Sequence, residues 1–209
     1  MSKSLCCYAF EALNHLLTGS HEIPLENFEK VAHSTASFPD TCPLFVTWNK
    51  HGNLRGCIGT FLDLQLAPGV KRFSITSALH DSRFPPVKKL ELSSLLVSVT
   101  LLANFNPISD CLDWKVGLHG LKVSFDYNGT HYSGTFLPSV AEDENWDQLT
   151  TLYYLLKKSD LESVHKSKVL EFYTDGLQQK WLRLTRYEGV KAALDYDEYV
   201  DIREKAEAQ

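Results

Sequence analysis

The sequence predicts an α+β fold built on largely antiparallel sheet, and three observations carry that expectation. Helical and strand-like patterns are interspersed along the 209 residues, at least two strand pairs read as hairpins, and no repeat, low-complexity tract or linker divides the chain. A chain of this length buries enough surface to hold its core without disulfide or metal staples.

Each element has its own signal. Leu5, Tyr8, Ala9, Ala12, Leu13 and Leu16 recur at helical spacing until Gly19 stops them. In EIPLENFEKVAH a proline stands near the start and Leu25, Phe28 and Ala32 share a face, which predicts a second, short helix. PLFVTW (Pro43–Trp48) is strand-like, NKHGN has loop chemistry, and NLRGCIGTF (Asn53–Phe61) returns as the second arm of a hairpin. From Gly69 to Ser82 the small residues among Val70, Phe73, Ser74, Ser77 and Ala78 predict a helix packed close to a neighbour. LLVSVTLLA reads as a strand buried on both faces. In LKVSFDYNGTHYSGTF strict alternation surrounds Asn128-Gly129, a two-residue turn that sets Phe125 opposite Tyr132 and Asp126 opposite His131. WDQLTTLYYLLKK places Trp146, Leu149, Leu152, Tyr153 and Leu156 on one helical stripe, with acids before it and lysines at its end. KWLRLTRYEGVKAAL reads as a strand pair or one bent strand, and DYDEYVDIREKAEAQ as a terminal helix.

Composition narrows the function classes. A formal net charge of −5 and scattered basic pairs (Lys71-Arg72, Lys88-Lys89, Lys166 and Lys168) argue against a nucleic-acid partner. Five irregularly spaced cysteines read as reduced thiols of a cytosolic protein with access to the nucleus. The N-terminal stretch carries Glu11 within its apolar pattern, unlike a secretory leader. The uncharged run Leu92–Ser109 is broken by serines, asparagines and a proline, so it reads as a buried strand with its exit loop and not as a membrane span. No cysteine, histidine or carboxylate cluster has metal-ligand spacing, and no phosphate- or dinucleotide-binding glycine motif occurs, so neither metal nor cofactor is expected. The partners expected are a small-molecule ligand or another protein.

The chemistry concentrates in NLRGCIGTF. On a regular strand Arg55, Cys57, Gly59 and Phe61 share one face, with Gly56, Ile58 and Thr60 on the other. Arg55 and Cys57 then stand roughly 6.6 Å apart at Cα, close enough for the guanidinium to lie over the sulfur and favour its thiolate. On this reading Cys57 is a nucleophile toward a carbonyl or electrophilic carbon and Arg55 stabilises negative charge. Gly56, Ile58 and Gly59 line the binding position, the glycines leaving backbone N–H groups open. The same residues have a plainer reading, a cysteine buried as a small hydrophobe and glycines where another element packs close. In HDSRFPP, Arg83 is a candidate anion clamp and Asp81 its orienter or a general base, against the alternative of an ion pair that pins a turn. His51 stands at the hairpin tip, beyond reach of the sulfur. His131 opposite Asp126 reads as a solvated pair.

LRGCIGTF (Leu54–Phe61) resembles the signature of the AMMECR family, and the likeness extends from about Cys6 to Tyr199. The segments Pro43–Trp48, Ile75–Pro86, Leu112–Gly120, Phe136–Ala141 and Leu182–Tyr187 are similar to further family motifs in the same order. The resemblance implies a eukaryotic member in which residues 1–209 form a single AMMECR domain. It further implies two lobes, each with a mainly antiparallel sheet flanked by helices. The larger lobe would hold both chain ends, and a cleft between the lobes would hold the signature. It implies no established reaction. A cysteine-dependent enzyme and a non-catalytic adaptor whose signature is structural both stay open. His80 falls at a variable position of the family motif, which removes it as a base. Two local departures stand out: Asn145, where many relatives have glycine, is tolerated there if it is left-handed, and the extra length around Asp160–Gly176 should be a surface loop.

Overall fold

Helix α1 (Ser4–Thr18) ends where Gly19 takes φ 74° and its N–H bonds to the His15 carbonyl. The structure, a computed structural model, describes residues 3–31 and 40–209; Ala32, assigned above to the second helix's face, lies outside the described residues. Helix α2 (Leu25–Val31) is followed by strands β1 (Thr41–Lys50) and β2 (Asn53–Gln65), then by α3 (Leu66–Leu79) and a 3-10 turn, Lys89–Ser94. Strands β3 (Leu95–Ile108), β4 (His119–Tyr127) and β5 (Thr130–Phe136) lead into α4 (Pro138–Asp143), α5 (Gln148–Lys158) and α6 (Val169–Gln178). Strand β6 (Leu182–Asp195) and helix α7 (Tyr196–Glu207) complete the chain. The strand order is β2-β1-β3-β6-β4-β5, and the pairs β1/β2, β1/β3, β4/β5 and β4/β6 are antiparallel. The α+β reading with antiparallel sheet therefore describes this molecule.

The chain divides into two compact units, one of residues 1–102 with 190–209 and one of residues 103–189. In the first, Leu44, Val46 and Trp48 of β1 and Val97 and Val99 of β3 are buried against α1, α3 and α7. The Phe10 ring meets Trp48 edge-on at 5.0 Å and stacks on Tyr199 at 5.1 Å, so the N- and C-terminal helices share one aromatic cluster. Beside it the fully buried carboxylate of Glu11 accepts from Tyr199 Oη (2.5 Å), Arg203 Nε (3.0 Å) and the Ile23 N–H (3.0 Å). A buried charge needs that many partners to be tolerated.

In the second unit Leu121, Val123 and Phe125 of β4 meet Leu152, Leu155 and Leu156 of α5 and Tyr173 of α6. The β4–β5 hairpin has the register its alternation predicts. Phe125 pairs with Tyr132 and Asp126 with His131, across an Asn128-Gly129 turn with φ 50° and 79°. Asn145 is left-handed at φ 55°.

Three local expectations are corrected and one is decided between its alternatives. The small-residue helix starts at Leu66, three residues earlier than read. Of the two readings of KWLRLTRYEGVKAAL, the single strand is the one found, β6. Leu149 belongs to the apolar stripe of α5 but is 42% exposed, because the helix turns Thr151, Leu152, Leu155 and Leu156 inward. Of Asp160–Gly176 the first part, to Lys168, is largely exposed turn and loop, but the rest is not a surface loop, for it is most of α6. Val169 and Tyr173 are buried there at i, i+4 spacing, with Phe172 and Leu177 packed beside them.

Candidate functional site

The β1–β2 hairpin turns at His51-Gly52, whose φ angles of 50° and 79° suit a two-residue turn, and its first pairs are Lys50 with Asn53 and Asn49 with Leu54. Unbroken alternation from there would set Trp48 opposite Arg55 and Thr47 opposite Gly56. Instead Trp48 pairs with Gly56 and Thr47 with Cys57, so Arg55 is the extra residue of a β-bulge. A one-residue slip exchanges the faces of everything beyond it. Gly56 therefore turns to the helix-covered face with Trp48, and Cys57 turns to the other face beside Thr47.

The bulge corrects the expected pairing of Arg55 with the sulfur. Arg55 joins Lys50 on Glu91: its Nε and Nη2 donate to the two carboxylate oxygens at 3.2 Å each, Nη1 donates to the Pro85 carbonyl (2.7 Å), and Lys50 Nζ donates to Oε1 (2.9 Å). Burial acts to raise the Glu91 pKa, but the hydrogen bonds from Arg55, the Lys88 N–H and Lys50 outweigh it and hold the carboxyl at about 2. Arg55 is thus a staple between the hairpin and the Lys89–Ser94 turn. Gly56 also has a packing reason. A Cβ there would stand 1.9 Å from the Ser77 carbonyl oxygen, so α3 can lie on β2 only over a glycine. At Gly59 the corresponding space is filled by Phe45 and the Leu44 carbonyl, and Ile58 packs against the core. The expected openings at Gly56 and Gly59 are filled from within the chain.

Cys57, Asp81 and Arg83 do come together. The Asp81 carboxylate accepts the Cys57 N–H (2.9 Å) and receives Arg83 through both Nε (2.9 Å) and Nη2 (2.7 Å). Nη2 also donates to the Cys57 carbonyl (3.1 Å). The two side chains thus act on the edge of β2 as a neighbouring peptide would, one accepting and one donating. Hydrogen bonds from Arg83 hold the Asp81 carboxyl far below the usual carboxylate range, so it orients and does not serve as a base near neutral pH. The Arg83 pKa is raised, chiefly by Asp81 and also by the Cys57 sulfur, so guanidinium and sulfur lie within electrostatic reach. The Arg83 side chain is 54% exposed, against 6% for Asp81. Its Nη1 has no partner among the described residues. Thr47 Oγ1 lies 3.1 Å from the Cys57 sulfur.

Of the five cysteines Cys57 alone is half-buried. The other four are buried, and burial pushes their thiols up, Cys6 to about 12. His51 and His80 are both exposed and share no hydrogen bond with the sulfur among the described residues, where no cluster of histidine, cysteine and carboxylate could hold a metal ion either. Nor is any helix among them long and apolar enough to cross a membrane. Sequence reading missed Thr47 and Glu91. Counting the pairing back from His51-Gly52 brings Thr47 within one residue of Cys57, and only the bulge hides the match. Glu91 gave no signal, since 36 residues separate it from Arg55.

The sequence matches the AMMECR1 family over residues 6–191. It is 32% identical to the uncharacterized protein YOR289W of Saccharomyces cerevisiae, over 95% of this chain and 88% of the relative. It is 34% identical to the uncharacterized protein At2g38710 of Arabidopsis thaliana, over 95% and 87%. Among solved structures the fold is similar to that of the uncharacterized protein PH0010 of Pyrococcus horikoshii, with a TM-score of 0.69, 26% identity and 94% of each chain covered.

Proposed function

The chain belongs to the AMMECR1 family, and on that premise we propose that its first unit holds a site for a small anionic carbonyl compound with Cys57 as the nucleophile. The observation that carries this is the contrast among the thiols: four are sealed in the core, and the fifth is half-buried with a hydroxyl at 3.1 Å, on a residue whose backbone carbonyl accepts from Arg83. The sulfur of Cys57 adds to the carbonyl carbon. The S–C bond forms as the C=O π bond opens, and the thiol proton passes to the new oxygen through the Thr47 hydroxyl. This addition needs no separate base, which suits a site whose carboxylate is committed to Arg83. Arg83, fixed by Asp81, turns its unpartnered Nη1 to a carboxylate on the ligand and takes the role expected of Arg55. Glyoxylate, labelled with 13C at the aldehyde carbon, is the test compound. The intact protein should give a thiohemiacetal resonance that is absent from Cys57→Ser and weaker in Arg83→Ala. Equal signals from Cys57→Ser, or none from the intact protein, would overturn the proposal.

A second reading has its own support. Arg55 and Gly56 are fully accounted for by packing, as they would be in an adaptor whose signature is structural. On that reading Cys57→Ser changes no ligand binding at all.

A further inference from the structure

Four aliphatic side chains of the second unit stand in solvent on adjoining elements. Leu112, Val116 and Leu118, in the loop between β3 and β4, are 37%, 38% and 49% exposed, and Leu149 of α5 is 42% exposed. The loop is fastened to α5 at that point: Gln148 Nε2 donates to the carbonyls of Leu112 (2.9 Å) and Trp114 (2.6 Å). Leu149 thus follows the very residue that grips the loop. Single exposed aliphatics are ordinary, but a cluster of them marks an interaction surface. The excess is visible in the sequence, where Leu149 belongs to the apolar stripe of α5 although the core does not use it.

Carboxylates border this cluster. Glu142, Asp143 and Glu144 are exposed at the end of α4, and the Glu142 carboxyl lies 3.1 Å from the position a Cβ on Gly117 would take. Asp147 caps α5 by accepting the Thr150 N–H (2.7 Å) and has Lys166 within electrostatic reach, and Asp113 is paired with Arg186, so among the described residues the unpaired border is the Glu142–Glu144 run. Lys115 supplies the loop's own positive charge. We propose that this face docks a protein segment whose aliphatic side chains are flanked by lysine or arginine. The aliphatic contacts hold the segment, and the acidic border selects it and speeds its approach. An anionic surface would be repelled. A second copy of the chain, joined by a two-fold axis, would set acidic border against acidic border. All these residues belong to the second unit, so the inference does not rest on the chemistry assigned to Cys57.

The test is a titration of the 15N-labelled chain with a peptide of alternating leucine and lysine, followed by amide shifts. Shifts are expected at residues 112–118 and 142–149, with binding weakened by salt. Leu118→Asp with Leu149→Asp should weaken it roughly tenfold or more. Glu142→Gln, Asp143→Asn and Glu144→Gln together keep the shape and should weaken it too, whereas Leu62→Asp on the first unit should not. No binding, shifts elsewhere, or equal binding of a leucine–glutamate peptide would overturn the proposal. So would a dimer in sedimentation that Leu118→Asp converts to monomer, since the patch would then belong to a second copy.

Discussion

The two hairpins of this molecule begin alike and end differently. Each closes on a two-residue turn with φ near 50° and 79°, His51-Gly52 in one and Asn128-Gly129 in the other. From its turn the β4–β5 ladder runs through seven pairs without a shift of register. The β1–β2 ladder slips twice, once at Arg55 and again beside Pro43, which has no N–H to give. Regular pairing yields a hairpin that only packs. The slip at Arg55 produces the close seat for α3, the Arg55–Glu91 staple and the outward thiol together.

Glycine substitutions should break this comparison hardest. Gly56→Ala drives a Cβ into the Ser77 carbonyl and should cost about 3 kcal/mol or more, read as a fall in the urea midpoint. Gly134→Ala in the regular hairpin meets its nearest atom, the Leu155 carbonyl oxygen, at 3.1 Å and should cost about 1 kcal/mol. Equal losses would mean that the bulged hairpin is no more tightly seated than the regular one.

The carboxylates come next. Glu91 and Asp81 both have pKa values below those of the unfolded chain, so each contributes stability that is present above about pH 4. That contribution is lost as pH falls, toward about 2 for Glu91 and lower for Asp81. Glu91→Gln should therefore lose about 1–2 kcal/mol at neutral pH and flatten the acid side of the stability curve between about pH 4 and 2. Asp126→Asn, in an exposed pair with His131, should stay within about 0.5 kcal/mol at neutral pH. An acid limb that Glu91→Gln leaves unchanged would remove the staple from the account.

How much of this was legible in sequence follows the same contrast. Asn128-Gly129 and the alternation around it specify a register outright, so the pairing of Phe125 with Tyr132 is legible in the sequence. Alternation gives no warning of a bulge, because one extra residue leaves the composition of β2 unchanged while exchanging its faces. Alternation alone therefore sets Arg55 over Cys57 and hides Thr47. The i, i+2 spacing of Asp81 and Arg83 did announce an ion pair, but which strand edge the pair would cap depends on α3 ending beside β2. Leu149 and α6 show the other limit, since helical periodicity tells that a face is apolar and not what covers it.

The most direct measurement is the rate at which each cysteine of the folded protein reacts with iodoacetamide, resolved by mass spectrometry. Cys57 should react well before Cys6, Cys7, Cys42 and Cys111, several-fold more slowly in Arg83→Ala and at an unchanged rate in Arg55→Ala. A Cys57 no faster than the other four, or one slowed by Arg55→Ala and indifferent to Arg83→Ala, would contradict the account.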